Sequence, residues 1–392
     1  MAKRSVRDLD VRGKRVFLRA DLNVPLTPEG GAGDDTRIRA ILPTLRHLID
    51  AGARVVVASH LGRPKGVDES LRLAPVAAAL AALLARPVAT AGDCVGPEAV
   101  GAVARLGPGE VLLLENLRFH PEEEANDPAF ARQLAALADL YVNDAFGAAH
   151  RAHASTEGIA HLLPSAAGLL LEREVEFLGR AMERPERPYA AVIGGAKVSS
   201  KLTVLRSLLA RVDKLIIGGG MANTFLRAEG YEVGASRVED DLLDEARTVM
   251  AEAERRHVRL LLPADLVIAD AFDANARTMV VAVKSVHKGW QALDIGPMTA
   301  KVYARALQGC RTVVWNGPMG VFEMAPFAQG SIAVARAIAA LPDCTTIVGG
   351  GETAELAAEL GLTFSHVSTG GGAALEFLEG RVLPGIAALP DA

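Results

Sequence analysis

A chain of 392 residues, 50% hydrophobic and 23% charged, has enough apolar material for packed cores and too little charge for a disordered polymer. It exceeds the roughly 100 to 200 residues of one domain, so two cores are expected. A formal net charge of -5 offers no overall attraction to a polyphosphate backbone, so no nucleic-acid partner is expected and any anionic ligand needs a local basic cluster.

Short β-branched or leucine-rich runs alternate with longer amphipathic stretches along the whole chain, the pattern of an α/β architecture with parallel sheets. In such sheets ligands bind beyond the carboxyl ends of the strands, so the residues just after each run are the candidates. The first strand, Arg15 to Arg19, leads into Asp21 and Asn23 within Arg-Ala-Asp-Leu-Asn-Val-Pro. Arg37 then opens a helix over Ile38 to Asp50, where the helix dipole also favours anions. The second strand, Arg54 to Ala58, delivers His60 and Arg63 in Ser-His-Leu-Gly-Arg-Pro-Lys. The third, Val111 to Leu114, is followed by Arg118 in Glu-Asn-Leu-Arg-Phe-His. After a helix over Phe130 to Ala138, the fourth, Leu140 to Asn143, supplies Arg151 with His150 and His153. Any one arginine reads equally well as a surface charge. Four arginines and a histidine at equivalent places suit one compact anion, because the planar guanidinium grips carboxylate and phosphate oxygens at two points.

Leu171, Val175, Leu178 and Met182 recur at helical spacing and place one apolar stripe along a helix running into the Pro185 to Pro188 turn. This predicts an interdomain helix over 168–184, between a domain over 1–167 and another over 185–381. The alternative is an ordinary crossover helix inside one large sheet.

The second half repeats the strand pattern at Ala190 to Ile193, Lys214 to Ile217, Arg259 to Leu262, Leu266 to Ala269, Thr278 to Val283, Arg311 to Trp315 and Thr345 to Val348. These are enough for a second doubly wound sheet. Here the loops carry glycine in place of cations: Gly194-Gly195-Ala196-Lys197, Gly218 to Gly220, Asn316-Gly317-Pro318, Gly349 to Gly351 and Gly370 to Gly372. Glycine lets backbone N–H groups approach a ligand, so such loops cradle phosphates and admit flat rings. No Gly-x4-Gly-Lys-Ser/Thr occurs and no Gly-x-Gly-x-x-Gly follows a strand, which disfavours P-loop and dinucleotide-binding enzymes. Only nine of the 42 basic residues are lysine, yet Lys197 and Lys201 stand four apart beside the first glycine loop, a spacing read as one helical turn. A compact point charge suits a transferring phosphate; the bland reading is a solvent-facing helix pair.

Three scattered cysteines, Cys94, Cys310 and Cys344, have no metal-binding spacing and fit a reducing cytoplasm. The basic stretch Met1 to Arg15 lacks the apolar centre of a signal peptide. The longest uncharged apolar run, Leu73 to Ala85, is interrupted by Pro75 and is too short to span a bilayer, so no membrane partner is expected.

Taken in order, Arg-Ala-Asp-Leu-Asn-Val-Pro, Ser-His-Leu-Gly-Arg-Pro-Lys, Leu-Glu-Asn-Leu-Arg-Phe, Tyr-Val-Asn-Asp-Ala-Phe-Gly, Gly-Gly-Ala-Lys-Val, Ile-Gly-Gly-Gly-Met-Ala, Trp-Asn-Gly-Pro-Met-Gly-Val-Phe-Glu and His-Val-Ser-Thr-Gly-Gly-Gly-Ala resemble the phosphoglycerate kinase family over nearly the whole chain. The resemblance implies two doubly wound, Rossmann-like parallel-sheet domains joined by an interdomain helix, with the tail 382–392 crossing back to the first. It implies that Asp21, Leu22, Asn23, Arg37, His60, Leu61, Gly62, Arg63, Arg118 and Arg151 bind 3-phosphoglycerate or 1,3-bisphosphoglycerate. It implies that Lys197, Lys201, Gly219, Asn316, Glu323, Gly350, Gly351, Glu352 and Thr353 bind ATP or ADP with Mg2+, Glu323 meeting the ribose. The family usually carries aspartate where this chain has Glu352. The extra methylene moves the carboxylate outward, so the metal is met directly or through a water.

The acceptor in this chemistry is a carboxylate already ionised near pH 7, so no residue need remove a proton. What remains is bringing two anions into line and neutralising the transferring group, the work expected of Arg37, Lys197 and Lys201. A monomer acting on small molecules in the cytoplasm is expected, with domain closure in each turnover. Two rivals stay open: another carboxylate-directed ATP kinase on a similar scaffold, and a non-catalytic binding protein.

Overall fold

The computed structural model describes residues 2–27 and 31–392. It divides into two compact units, Met1–Glu176 with Val382–Ala392, and Phe177–Arg381. The division falls inside the helix Leu169–Glu183, whose stripe residues Leu171, Val175 and Leu178 are buried.

In the first unit the strands are β1 (Arg15–Arg19), β2 (Arg54–Ala58), β3 (Val88–Thr90), β4 (Val111–Leu113), β5 (Leu140–Asn143) and β6 (Ser165–Ala167). They form one sheet in the order β3-β4-β2-β1-β5-β6, with every pairing parallel. Arg19 pairs in register with Ala58 on one side and Asn143 on the other, so these three strands end level. The helix Thr36–Asp50 buries Ile38, Ile41, Leu42, Leu45, Leu48 and Ile49, the three-and-four spacing that puts one face on the sheet. Val382–Ala392 returns to this unit: Arg4 N–H donates to Pro390 O at 3.0 Å, and Asn143 Nδ2 to Gly385 O at 3.0 Å.

In the second unit β7 (Tyr189–Ile193), β8 (Lys214–Ile217) and β9 (Arg259–Leu261) are followed by β10 (Asp265–Ala269), β11 (Thr278–Ala282) and β12 (Gln291–Ile295), then β13 (Thr312–Asn316), β14 (Thr345–Gly349) and β15 (His366–Val367). The main sheet runs β15-β14-β13-β7-β8-β9, again wholly parallel. Its core packs Trp315, Tyr303, Val313, Ile338 and Met319, all at most 1% exposed.

The strands expected at Leu266 to Ala269 and Thr278 to Val283 do not join that sheet. They form a separate antiparallel sheet, β11-β10-β12, lying outside the doubly wound pattern. Residues 270–277 join β10 to β11 as an antiparallel pair, a link too short for a parallel crossover. Residues 283–290 then carry the chain past β10 to β12, which runs in the same direction as β11. Periodicity also missed β3, β6, β12 and β15. Ser165-Ala166-Ala167 and His366-Val367 have no strand signal of their own and extend only because a neighbouring strand offers hydrogen bonds.

Candidate functional site

The chain steps from β1 outward through β2 and then returns to β5 on the other side of β1, so the order of the first sheet reverses between β1 and β5. A crevice opens beyond the carboxyl ends at such a reversal. Arg37 reaches it from the first turn of its helix and donates to Asp21 Oδ1 and to Asn23 O, both at 3.1 Å. The Asp21 carboxylate also accepts from Asn23 N–H at 3.2 Å, and Asn23 Oδ1 accepts from Gly62 N–H at 2.9 Å. Gly62 has φ +64, a conformation that glycine adopts without strain, and a Cβ there would press on the Leu71 methyls at 2.9 Å. Its carbonyl accepts from Arg118 at 2.7 Å. Arg118 is 5% exposed and pairs with Glu124 at 3.0 Å; burial lowers its pKa while Glu124 raises it. Arg151 is half-buried with Nε 3.2 Å from His150 Nε2, and Arg63 is exposed with no ion pair among the described residues.

His60 lies at the centre. Burial pushes its pKa well below the ordinary value, and Arg19, Arg118, Arg37 and Arg151 push it further, so charge from three strand ends and one helix converges on it. His153 is driven down to about 3 by burial and then by Arg118, Arg19 and Arg151. Both rings are therefore neutral near pH 7. Leu61 is buried, its N–H donating to Asn116 Oδ1 at 3.2 Å, and the N–H of buried Leu22 donates to Ser59 Oγ at 2.9 Å.

The second sheet reverses between β7 and β13. There the loops Gly194-Gly195 and Gly317-Pro318 touch backbone to backbone: a Cβ on Gly194 would lie 2.1 Å from Pro318 O, and one on Gly317 2.5 Å from Gly194 O. A Cβ on Gly219, at φ +70, would lie 2.6 Å from Gly195 N. Three of the five glycine loops end at helix starts: Gly220 before Met221–Ala228, Gly350 before Gly351–Glu359 and Gly371 before Gly372–Leu378. Backbone N–H groups at helix starts attract anions.

Lys201 precedes the helix Leu202–Leu209 and donates through Nζ to Asn316 Oδ1. Burial lowers its pKa to about 8, partly offset by Glu352. Because Oδ1 of Asn316 serves the ammonium, its Nδ2 is left buried with no hydrogen-bond partner among the described residues. Such an orphan donor calls for an acceptor from outside the protein. Glu352 is exposed in the first turn after Gly350 and Gly351. Thr353 turns inward, its hydroxyl donating to Gly349 O at 2.5 Å and accepting from Gly317 N–H at 3.3 Å, so it fastens two loops together. Glu323 is exposed.

The expectation of Lys197 and Lys201 one helical turn apart is not met. Residues 195–201 form bends and turns, and the helix starts only at Leu202. Lys197 is exposed while Lys201 is half-buried, so the two have different surroundings. Residues that sequence reading passed over are Arg19, Glu123 and Ser155, all wholly buried beneath His60. Arg19 ends β1 and so lay inside a strand, not after it. An arginine in an otherwise apolar strand was the available signal, since arginine is seldom fully buried unless paired.

Among the described residues Asp93, Cys94 and His120 gather three metal-type donors. One oxygen of Asp93 already accepts from Cys94 N–H at 2.6 Å and meets His120 Nε2 at 2.7 Å. Burial, then Asp93 and Glu123, push the Cys94 thiol up, which keeps its proton on and opposes ligation. The cluster is a closed hydrogen-bonded knot.

A cationic crevice on one doubly wound sheet and a glycine-lined crevice on another define the class of two-domain α/β phosphotransferases. The family model described as phosphoglycerate kinase matches residues 6–381. A phosphoglycerate kinase from Moorella thermoacetica is 62% identical over 394 residues, covering 100% of both chains. The solved phosphoglycerate kinase of Coxiella burnetii superposes with a TM-score of 0.88 at 42% identity, covering 98% of each chain. That of Pyrococcus horikoshii OT3 gives 0.87 at 35%, covering 99% of this chain and 98% of the other. The chain belongs to the phosphoglycerate kinase family. Its activity is the family's, the glycolytic transfer of a phosphoryl group between 1,3-bisphosphoglycerate and ADP, and the rival carboxylate-directed kinase is not favoured.

Proposed function

We propose that the first unit binds the three-carbon acid and the second binds the nucleotide. The observation that carries this is the run of bonds at the strand ends that ties Arg37 to Asp21 and Asn23, Asn23 to Gly62 and Gly62 to Arg118, with Arg19 3.2 Å from His60 Nδ1. Cations gathered around an uncharged donor suit a compact, multiply charged anion. Asp21 orients Arg37, Asn23 fixes the Gly62 turn, and Arg63 with its free fork completes the grip. Leu22 and Leu61 hold the loops that carry these groups.

On the second unit, Asn316 Nδ2 and the amides after Gly350 and Gly219 serve the nucleotide, with Lys201 and Lys197 beside the transferring phosphate. Glu323 meets the ribose. Magnesium fits this set: it is commonly held by one or two carboxylates together with substrate phosphates, and Glu352 is one exposed carboxylate. When bound, the ion neutralises charge between the phosphates. Thr353, with its hydroxyl occupied, acts through the backbone.

Transfer needs the acid carboxylate in line with the terminal phosphate, so the proposal includes a closing movement in each turnover that also excludes water. A monomer in the cytoplasm accords with three free cysteines, two of them buried, and none of the described helices is long and apolar enough to cross a membrane. Sedimentation at working concentration tests the monomer.

The deciding experiment is calorimetric titration of Arg151→Ala with 3-phosphoglycerate and, separately, with MgADP. Acid affinity is expected to fall about tenfold or more, as for loss of a charged hydrogen bond, with nucleotide affinity unchanged. Equal loss of both, or of neither, sinks the assignment.

A further inference from the structure

We infer that the buried carboxylate of Glu123, acting through the Ser155 hydroxyl and the Arg19 guanidinium, positions His60 to meet the acid as a neutral imidazole carrying its proton on Nε2. The inference rests on the reading of His60 as an acid-site residue.

The geometry fixes the hydrogens one after another. A terminal nitrogen of Arg19 lies 3.2 Å from His60 Nδ1. A guanidinium has donors and no acceptor and stays charged at any working pH, so Nδ1 must be the bare, accepting nitrogen. The one proton of the neutral ring therefore sits on Nε2, free to donate. Burial and four arginines oppose a second proton. Arg19 is itself held at two further points: its other terminal nitrogen donates to Ala20 O, and Nε donates to Ser155 Oγ at 2.7 Å.

That last bond occupies a lone pair of the Ser155 oxygen and so directs the serine's own hydrogen elsewhere. It points to Glu123 Oε1 at 2.5 Å, while Glu123 Oε2 accepts from Ser155 N–H at 2.9 Å. Both carboxylate oxygens accept, the arrangement of the ionised form. Burial raises the pKa of Glu123 on balance, and Arg19, foremost among its neighbours, offsets that rise in part. Glu123, Ser155 and Arg19 each have no exposure. A charge buried that deeply costs heavily unless compensated, and here an arginine and a carboxylate compensate each other across one hydroxyl. His153 Nδ1 lies 3.9 Å from Glu123 Oε1, beyond hydrogen-bond reach, so the chain of bonds has a single end at His60. Glu123 and Ser155 are thus positioning residues: they touch no substrate but set which ring nitrogen faces it.

The test is nitrogen NMR of histidine-labelled protein, with His60 identified among nine histidines by its loss in His60→Gln. Without substrate, His60 is expected to show a bare Nδ1 and a protonated Nε2 from about pH 5 to 8, where an ordinary histidine titrates. A proton on Nδ1, or titration in that range, overturns the relay. Adding 3-phosphoglycerate is expected to shift Nε2 and leave Nδ1 in place. A correct tautomer that ignores the acid overturns the acid-site reading of His60, and the positioning role with it.

Ser155→Ala then removes the link while leaving both charges. It is expected to mix the His60 tautomers and to raise KM for 3-phosphoglycerate about tenfold at unchanged KM for MgATP. Ser155→Thr, which keeps the hydroxyl, is expected to restore both. A mere loss of folded protein would lower kcat and leave both KM values alone, and that result, with the tautomer intact, also overturns the proposal.

Discussion

Arg37 donates to the Asp21 carboxylate at 3.1 Å while its side chain remains 34% exposed, so the guanidinium is held from behind with part of its fork open to solvent. A donor held in this way is preorganised for charge that develops on a transferring phosphoryl group. Arg37→Ala is expected to lower kcat by about a hundredfold or more while KM for 3-phosphoglycerate changes less, the signature of a contact made mainly in the transition state. Steady-state kinetics in the ATP-forming and ATP-consuming directions checks this. A change confined to KM would assign Arg37 to ground-state binding.

Lys201 carries a pH signature. Its folded pKa is depressed to about 8 by burial, below the ordinary lysine value of 10.5. In the free enzyme the ammonium is therefore lost as pH rises through about 8, and kcat/KM for MgATP is expected to fall along an alkaline limb near that value. The limb should vanish in Lys201→Met, and the overall rate is expected to be much lower.

The same shift bears on stability. Between about pH 8 and 10.5 the unfolded chain binds the Lys201 proton and the folded chain does not, so this group makes stability rise with pH across that window. Below it the penalty of burying the charge is fully present. Lys201→Met should thus stabilise the second unit at pH 7, by up to about 3 kcal/mol for a shift of this size. Urea unfolding at pH 7 and pH 10, read on a probe in Phe177–Arg381, measures it. A gain at pH 10 equal to that at pH 7 would contradict the linkage.

Gly194 cannot carry a side chain without moving Pro318, since the added carbon would lie 2.1 Å from that carbonyl oxygen. Gly317 O would lie 2.7 Å away as well, so two backbone carbonyls resist even where the Met319 side chain can yield. Gly194→Ala is expected to destabilise by about 3 kcal/mol, the upper end of ordinary overpacking, and to weaken nucleotide binding because it pushes the β7 and β13 loops apart. By contrast Gly351→Ala, with nothing within reach of its Cβ, should leave stability almost unchanged. Parallel thermal melts decide between them.

Glu352 invites a shortening test. Glu352→Asp draws the carboxylate inward by a methylene and is expected to tighten apparent magnesium affinity in the nucleotide complex. Glu352→Gln removes the charge and should weaken it by about tenfold or more. Magnesium titration of activity at fixed ATP follows both. Indifference to the charge-removing change would mean that the ion is held by nucleotide and water alone.

Much of this was legible along the chain because buried parallel strands announce themselves: Arg15–Arg19, Arg54–Ala58, Leu140–Asn143 and Lys214–Ile217 occupy the expected spans. The carboxyl-end rule then pointed to Asp21, Arg37, His60, Arg118 and Arg151 without any coordinates. Where the reading failed, the deciding interaction lay far off in sequence. Ser165-Ala166-Ala167 is a strand only because β5 lies alongside, and Lys201 differs from Lys197 because Asn316, 115 positions later, takes its ammonium. The antiparallel pairing of β10 with β11 was within reach, since the link 270–277 is too short for a parallel crossover, but periodicity alone does not register connection length.

The order of motifs, the apolar runs and the glycine loops are properties of neighbouring residues, so sequence alone determined the family, the two parallel sheets and the chemical type of each crevice. What only the folded chain decided is which charges are buried together. Arg19, Ser155 and Glu123 are widely spaced in sequence and meet only when β1 packs against the segments after β4 and β5. Burial and the nearness of other charges set ionisation and hydrogen direction, and both are sums over three-dimensional neighbours that no local pattern of residues contains.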